Sequence, residues 1–511
     1  MEPHQVVVRR DKPSAQDVIV PLVSKLLKAG EKVIVFRNAR GPAQGCAKYL
    51  AVDLGLPAAE EALAALPSGD LSGASTALRE CLSGGTAFHN SNLTRDERVT
   101  VEQSFRRPDG AIRVLAATTT VAAGINTPAS TVILAENEFL GEDGRPFSVA
   151  EYKNMAGRAG RLGFNEKGRA IILAENAAER RMLFEKYVRG RLERLESSFS
   201  AQDIETWLIR LLAQVRSIPK TEVPRLLVNT FGGFLSVAHD PRWMAQTEAQ
   251  ITGLIARMIS LGLLETQGDT VSLSMLGRAC GRSSLKLESS LRLVELIKSV
   301  PDPLLNAGNL VAIIQALPSD EMGYTPMMKK GTRESVRRDQ AVARYGNEIV
   351  GMLQRYAYDH LEFLARCKRA AVLYDWIHGV KIENIEEEFS TTQYFYRIEH
   401  GDIRRFADLT RFHLRSAADL LSILLLGKTQ GEEIDLVVKQ LEIGLPAAAL
   451  PLLDLPIDLT RGECLGCMAA GLVDPDSVWK ADPQLMQSIL GKRRSARLEA
   501  FRPPQVQNAG T

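Results

Sequence analysis

Asn154-Met155-Ala156-Gly157-Arg158-Ala159-Gly160-Arg161 is the stretch on which the fold turns. Two arginines three residues apart share a face if the segment is helical. The glycines beside them remove side-chain bulk, so backbone and guanidinium groups can approach an anion closely. Arginines at the edge of a lobe are what charge building on a transferring γ-phosphoryl group requires. Taken alone, the competing reading is a basic surface turn, and the neighbouring segments weigh against it.

Upstream lies Ala116-Ala117-Thr118-Thr119-Thr120, continuing through Gly124, Asn126 and Pro128 to Ala129, directly after an apolar run. Small residues and threonines at a strand end let a phosphate backbone or a ribose lie against main-chain amides. Between the two segments, Asn137 to Phe147 carries turn chemistry at Asp143-Gly144 flanked by aromatics and reads as a hairpin. Farther out, Lys32–Phe36, Thr86–His89, Ile112–Ala116, Thr131–Ala135 and Arg169–Leu173 are short apolar strands, with amphipathic segments at Asp17–Ala29 and Leu93–Phe105. That alternation predicts a parallel sheet covered by helices on both faces, with ligands at the carboxyl ends of its strands.

Beyond residue 180 strands nearly vanish. Helices over 180–260 precede two short strands in Gly262–Leu273 around a Gly-Asp turn, the order of a winged-helix module. The chain is then helical to about 430, with a polar linker near Lys329–Arg338, and short helices broken by prolines follow. The tail after Arg502 is expected to be disordered.

A chain of 511 residues suggests three or four domains. Hydrophobic content of 45% and charged content of 24% are those of an ordinary globular protein, and no apolar run reaches the roughly 18–20 residues that span a bilayer. Six scattered cysteines make no disulfide framework, and a cytoplasmic setting is expected. With a net charge of only +2, any nucleic-acid surface must come from local clusters of Lys and Arg. Cys464-Leu-Gly-Cys467 has metal-ligand spacing but no second pair nearby, so no metal site is expected and a structural helix pair is preferred. Gly427-Lys428-Thr429 resembles the end of a phosphate loop. Ser422 stands where that loop needs its first glycine, and the preceding leucines read as a helix.

The order Val33–Phe36, Phe88-His89-Asn90-Ser91, Thr118 to Ala129 and Tyr152 to Arg161 resembles motifs IV to VI of superfamily-two helicases. Within them it is most similar to the Ski-two-like group of archaeal DNA-repair helicases and the helicase part of polymerase theta. The resemblance implies a second RecA-like motor lobe over 1–195, a winged helix over 196–285, a helical ratchet domain over 286–430, a degenerate helix-hairpin-helix domain over 431–500 and a tail over 501–511. It places Arg158 and Arg161 at the ATP phosphates, with Arg161 the stronger candidate for the finger. Gly124, Asn126, Gly157 and Asn154 fall beside the nucleotide. Thr118 and Thr119 meet the nucleic-acid backbone, with His89 in support. Phe139, Leu140 and Phe147 belong to the strand-separating hairpin. Gly401-Asp-Ile-Arg-Arg405-Phe-Ala-Asp-Leu-Thr-Arg-Phe412 matches the ratchet helix, where Arg405 and Phe412, two turns apart, can stack on bases. The chain departs from the family pattern at Asn154 (usually Gln), Asn90 and Asn92 (usually His and Gly) and Phe412 (usually Trp). The terminal region also lacks the Gly-x-Gly hairpin.

A motor of this class also needs a Gly-x-x-x-x-Gly-Lys-Ser/Thr loop and an Asp-Glu-x-His/Asp strand end to hold phosphates and Mg²⁺. Asp96-Glu97 and Asp320-Glu321 lack the preceding apolar strand, and the residues before Lys32 are too few for a lobe. The expectation is a C-terminal half, with ATP and Mg²⁺ bound mainly by a Walker-bearing lobe on another segment or chain. It would act 3′ to 5′ on DNA, in repair, recombination or defence. Two alternatives stand beside it: half of an RNA helicase, and a binding or regulatory subunit without catalysis.

Overall fold

The computed structural model describes residues 14–107, 109–119, 129–140, 144–160, 168–197, 203–392, 395–424 and 431–502. Two compact units emerge. The first holds residues up to Arg194 together with Glu399–Gly401, and the second holds the remainder.

The first unit runs α1 (Ala15–Lys28), β1 (Val33–Arg37), α2 (Arg40–Asp53), α3 (Glu60–Ala65), α4 (Gly73–Ser83), β2 (Thr86–His89), α5 (Arg95–Arg106), β3 (Val114–Thr118), β4 (Thr131–Leu134), α6 (Val149–Ala156), β5 (Arg169–Ile172) and α7 (Ala177–Leu183). The five strands form one sheet in the order β2-β3-β1-β4-β5, and every pairing is parallel. This is the expected α/β lobe. Val33, Ile34, Val35 and Phe36 are buried on both faces, which is why β1 reads as an unbroken apolar run. Helix α5 starts where Thr94 accepts from the Glu97 amide while Glu97 accepts from the Thr94 amide, so two otherwise orphaned donors are satisfied reciprocally.

The second unit runs α8 (Ile204–Leu212), β6 (Ile218–Pro219), α9 (Val223–Val228), α10 (Phe231–His239), α11 (Trp243–Ser260), β7 (Leu264–Gln267), β8 (Thr270–Leu273), α12 (Met275–Arg282), α13 (Leu287–Ser299), α14 (Ala307–Ile314), α15 (Ser319–Met322), α16 (Val336–Arg355), α17 (His360–Ile377), α18 (Ile382–Phe389), α19 (His400–Leu424), α20 (Gly431–Ile443), α21 (Arg461–Ala469), α22 (Pro475–Lys480) and α23 (Pro483–Glu499). The expected hairpin is β7–β8, and β6 adds a third antiparallel strand that its two residues kept out of sight in the sequence. Most of the unit is helical, as expected.

The polar stretch Lys329–Arg338 is mostly exposed but anchored at two points. Glu334 and Arg337 are buried, with Arg337 Nε donating to Glu334 Oε2 at 2.8 Å, and the Lys368 ammonium lies 3.8 Å from Glu334 Oε1. An otherwise exposed polar segment thus carries a buried ion cluster at Glu334 and Arg337. Cys464 and Cys467 lie one turn apart on α21 inside an apolar cluster with Leu445, Leu452 and Leu490. Burial pushes their thiols up to about 12 and about 11. The Gly427-Lys-Thr stretch and the tail from 503 lie outside the described residues. Among the described residues, no single helix is long and apolar enough to cross a membrane.

Candidate nucleotide and nucleic-acid interface

The parallel register brings three strand ends to one edge of the first unit. Arg37 closes β1 opposite Thr118, the last residue of β3, and His89 closes β2 opposite Ala117. Thr118 is buried, and Thr119, the first residue past the strand, is half-buried. His89 is 3% exposed, with Nε2 2.8 Å from Glu102 on α5, and burial holds its imidazole below the ordinary value against the pull of that carboxylate. A side chain so enclosed supports the edge and does not reach a ligand itself. Asn90 and Asn92, the departures from the family pattern, form a local brace. The Asn92 amide donates to Asn90 Oδ1 at 3.0 Å, Asn90 Nδ2 donates to the Arg40 carbonyl at 3.2 Å, and Arg40 Nη1 donates to Asn92 Oδ1 at 2.7 Å. One pair went unread in the sequence. Arg37 Nε donates to Glu136 at 2.7 Å, and the Asn38 amide donates to the other oxygen at 3.1 Å, which fixes the segment after β4 to the end of β1.

The arginine stretch departs from its expected form. Helix α6 starts at a Ser148–Glu151 capping box and ends at Ala156, and Gly157 caps it with its amide on the Lys153 carbonyl at 2.8 Å. Arg158 therefore sits in a turn past the end of α6. Ala159 bridges Ala129 in parallel: the Ala129 amide donates to the Arg158 carbonyl at 3.2 Å, and the Gly160 amide donates to the Ala129 carbonyl at 3.0 Å. The end of the threonine-rich motif and the start of the arginine motif are thus hydrogen-bonded to one another. Gly160 takes φ +65°, a left-handed conformation that glycine adopts at little cost. Gly168 approaches so closely that a Cβ there would lie 2.2 Å from both Ala159 C and Gly160 N. Asn154 and Gly157 are exposed, whereas Arg158 is 8% exposed. Gly124, Asn126 and Arg161 lie outside the described residues.

The hairpin base forms as read, with Phe139 N donating to Arg145 O and Phe147 N to Asn137 O, both at 2.9 Å. Arg145 clamps it to α6 through Glu151, at 2.9 and 2.6 Å, and that pairing holds the Glu151 carboxyl down to about 2. The aromatics are placed differently from expectation. Phe147 is 3% exposed, edge-on to Phe139 with ring centroids 4.7 Å apart, and Tyr187 Oη donates to its carbonyl at 2.9 Å. It belongs to the lobe core, so it cannot meet a separating strand. Leu140 is the exposed residue, at 63%. Residues 141–143 lie outside the described residues.

In the second unit, α19 turns Arg404, Arg405, Asp408, Arg411, Phe412 and Arg415 away from its core, and Phe412 is 55% exposed. Arg405 Nη2 donates to Tyr324 O at 2.6 Å and to Asp402 at 3.0 Å, which fixes the guanidinium plane. Beneath it, α17 buries Arg366, Lys368 and Arg369. Arg369 donates to Gln315 Oε1 at 3.2 Å and to Thr325 Oγ1 at 2.8 Å, and Gln315 Nε2 donates to Thr410 on α19 at 2.9 Å. A buried polar network of this kind fixes α14, α17 and α19 in one arrangement because every member must keep its partner.

Residues 70–163 match the helicase conserved C-terminal domain. The chain is 29% identical over 441 residues to the ATP-dependent DNA helicase Hel308 of Pyrobaculum calidifontis, covering 84% of this chain and 58% of that protein. It is 28% identical to the Hel308 of Caldivirga maquilingensis (80% of this chain, 54% of that protein) and 27% identical to that of Pyrococcus abyssi (81% and 55%). The chain thus spans little more than half the length of these relatives. It is similar to Ski-two-like helicases of superfamily two and carries their conserved C-terminal domain.

Proposed function

We propose that this chain is the C-terminal part of an ATP-dependent DNA helicase, supplying arginine to the γ-phosphate of an ATP that a Walker-bearing lobe binds with Mg²⁺. The observation that carries the reading is the pairing of Ala129 with Ala159, which joins the two motifs the family uses at nucleotide and nucleic acid. In this reading Arg161 is the finger and Arg158, itself buried, holds the turn between α6 and that finger. Asn154, Gly157, Gly124 and Asn126 lie beside the nucleotide. Thr118 and Thr119 meet the tracking strand, and His89 holds their strand edge. Arg405 and Phe412 stack on bases as the strand passes α19 in the 3′-to-5′ sense. Domain limits near 195, 285 and 430 go with these roles.

The experiment is Arg161→Ala in an assembly reconstituted with a Walker-bearing lobe. ATP turnover is expected to fall by about a hundredfold or more, as for loss of an arginine finger, with DNA binding retained. Phe412→Ala is expected to do the reverse, weakening single-strand binding and leaving basal turnover. Unchanged turnover in the first variant refutes the finger assignment.

A further inference from the structure

Three large aromatics stand out from the helical unit beside α19. Tyr324 is 63% exposed, Phe395 72% and Tyr396 39%. A single exposed aromatic needs no explanation, but three on two short segments flanked by cations form a pattern. The segments are held, not loose. Tyr324 O accepts from Arg405 at 2.6 Å, Thr325 Oγ1 from Arg369 at 2.8 Å, and Pro326 O from Lys368 at 2.6 Å, while the Met328 amide donates to Glu334 at 3.0 Å. Four buried or half-buried charges therefore fix four of the five residues 324–328.

The same centre holds the second segment. Thr391 Oγ1 donates to Glu334 and lies 3.4 Å from the Lys368 ammonium, the Thr391 amide donates to Tyr396 O at 3.2 Å, and the Phe395 amide donates to Thr392 Oγ1 at 2.8 Å. Tyr396 takes φ +54°, a conformation that costs a β-carbon residue energy and persists only where its surroundings impose it. Burial, then the neighbouring Tyr396 and Asp402, push the Tyr324 phenol up, against Arg405 and Lys329, so all four side chains lie near that phenol. Lys329, Lys330, Arg333 and Arg397 are exposed on the same two segments, and the only acid in 324–334, Glu334, is buried.

Rigid aromatic faces set among cations are what a single-stranded nucleic acid recognises. Every base has a face to stack, and its phosphates take the positive charge. We propose that Tyr324, Phe395 and Tyr396 form, with Arg405, a second base-stacking surface that extends the contact a single strand makes with Phe412 on α19. Arg405 links the two: it lies seven residues from Phe412, about 10 Å along the helix, and bonds the backbone of Tyr324. The inference rests on the reading that a strand runs along α19.

The test uses the full chain and a fluorescein-labelled oligo-dT, with affinity read by anisotropy at several salt concentrations. Tyr324→Ala and Phe395→Ala are each expected to weaken binding about fivefold or more with an unchanged salt slope, because no cation is removed. Tyr324→Phe is expected to bind like the parent chain. Phe395→Ala serves even if Tyr324→Ala misfolds, since little of that ring is buried. If Phe412→Ala weakens binding and these two variants do not, the strand runs along α19 but this surface is refuted, and a protein partner becomes its better occupant. If Tyr324→Phe loses as much as Tyr324→Ala, stacking is refuted. If none of the variants, Phe412→Ala included, weakens binding, the path along α19 fails and this surface with it.

Discussion

Glu334→Ala removes the carboxylate that Arg337, Thr391 and the Met328 amide share in the buried ion cluster of the helical unit. Its Oε2 accepts from Arg337 at 2.8 Å, its Oε1 accepts from the Met328 amide at 3.0 Å and from Thr391, and Lys368 lies 3.8 Å away. The Arg337 and Lys368 side chains are 3% and 0% exposed, so neither can recover hydration when Glu334 is lost. Breaking a buried pair from one side costs about 3–5 kcal/mol because the other charge stays uncompensated. At roughly 2–4 °C per kcal/mol, the unfolding midpoint is expected to fall by about 6–20 °C. The deficit carries a pH signature. Burial, then Arg337, lowers the Lys368 ammonium from 10.5 to about 7, against the pull of Glu334. Below pH 7 the folded Lys368 is charged and feels the loss in full, whereas above it the folded lysine has shed its proton. The deficit of Glu334→Ala is thus expected to be larger at pH 6 than at pH 9. In the parent chain, the unfolded lysine keeps its proton up to about pH 10.5 while the folded one does not, so the Lys368 contribution to stability rises from pH 7 to 10.5. Lys368→Met should flatten that rise. Thermal and urea melts at both pH values measure this. A Glu334→Ala deficit below about 1 kcal/mol at pH 6 refutes the claim that these charges depend on one another.

Two further outcomes follow from the first unit. Gly168→Ala places a Cβ 2.2 Å from the backbone of Ala159 and Gly160, so the arginine turn must shift by the better part of an ångström. ATP turnover in the reconstituted assembly is expected to fall about a hundredfold with the fold retained by circular dichroism, and parental turnover would show that the turn has no part in the chemistry. At the hairpin, Leu140→Ser is expected to slow duplex unwinding and change stability by no more than about 0.5 kcal/mol. Phe147→Ala should instead destabilise the lobe by about 3–5 kcal/mol, because that ring is core. Equal effects in the two variants, measured by unwinding and by thermal melts, would overturn the assignment of Leu140 to the surface role.

The strands were legible as short apolar runs, β1 to β4 almost wholly buried and β5 partly exposed, and α5 announced itself through Thr94 and Glu97. Helix α2 was not, since Arg40–Asp53 mixes glycine and proline with few large apolar residues and its buried face is mostly Ala43, Cys46 and Ala47. Spacing alone made Arg158 look helical; Gly157 ends α6 first, and the bridge from Ala159 to Ala129 takes over. At Lys329–Arg338 the hydrophilic composition fits the exposed residues but gave no sign that Glu334 and Arg337 are buried. Their partners, Lys368 and Thr391, come from distant parts of the chain, and no local pattern could reveal them. The same holds for Phe147, an aromatic beside a turn whose burial depends on Tyr187 and Phe139.

ATP turnover by the purified chain, measured alone and after mixing with a Walker-bearing lobe, with single-stranded DNA present, tests most directly whether its arginines serve a nucleotide held elsewhere. No turnover is expected from the chain alone, and DNA-stimulated turnover that Arg161→Ala abolishes is expected from the mixture. Robust turnover by the chain alone would contradict the claim that its arginines serve a nucleotide held elsewhere.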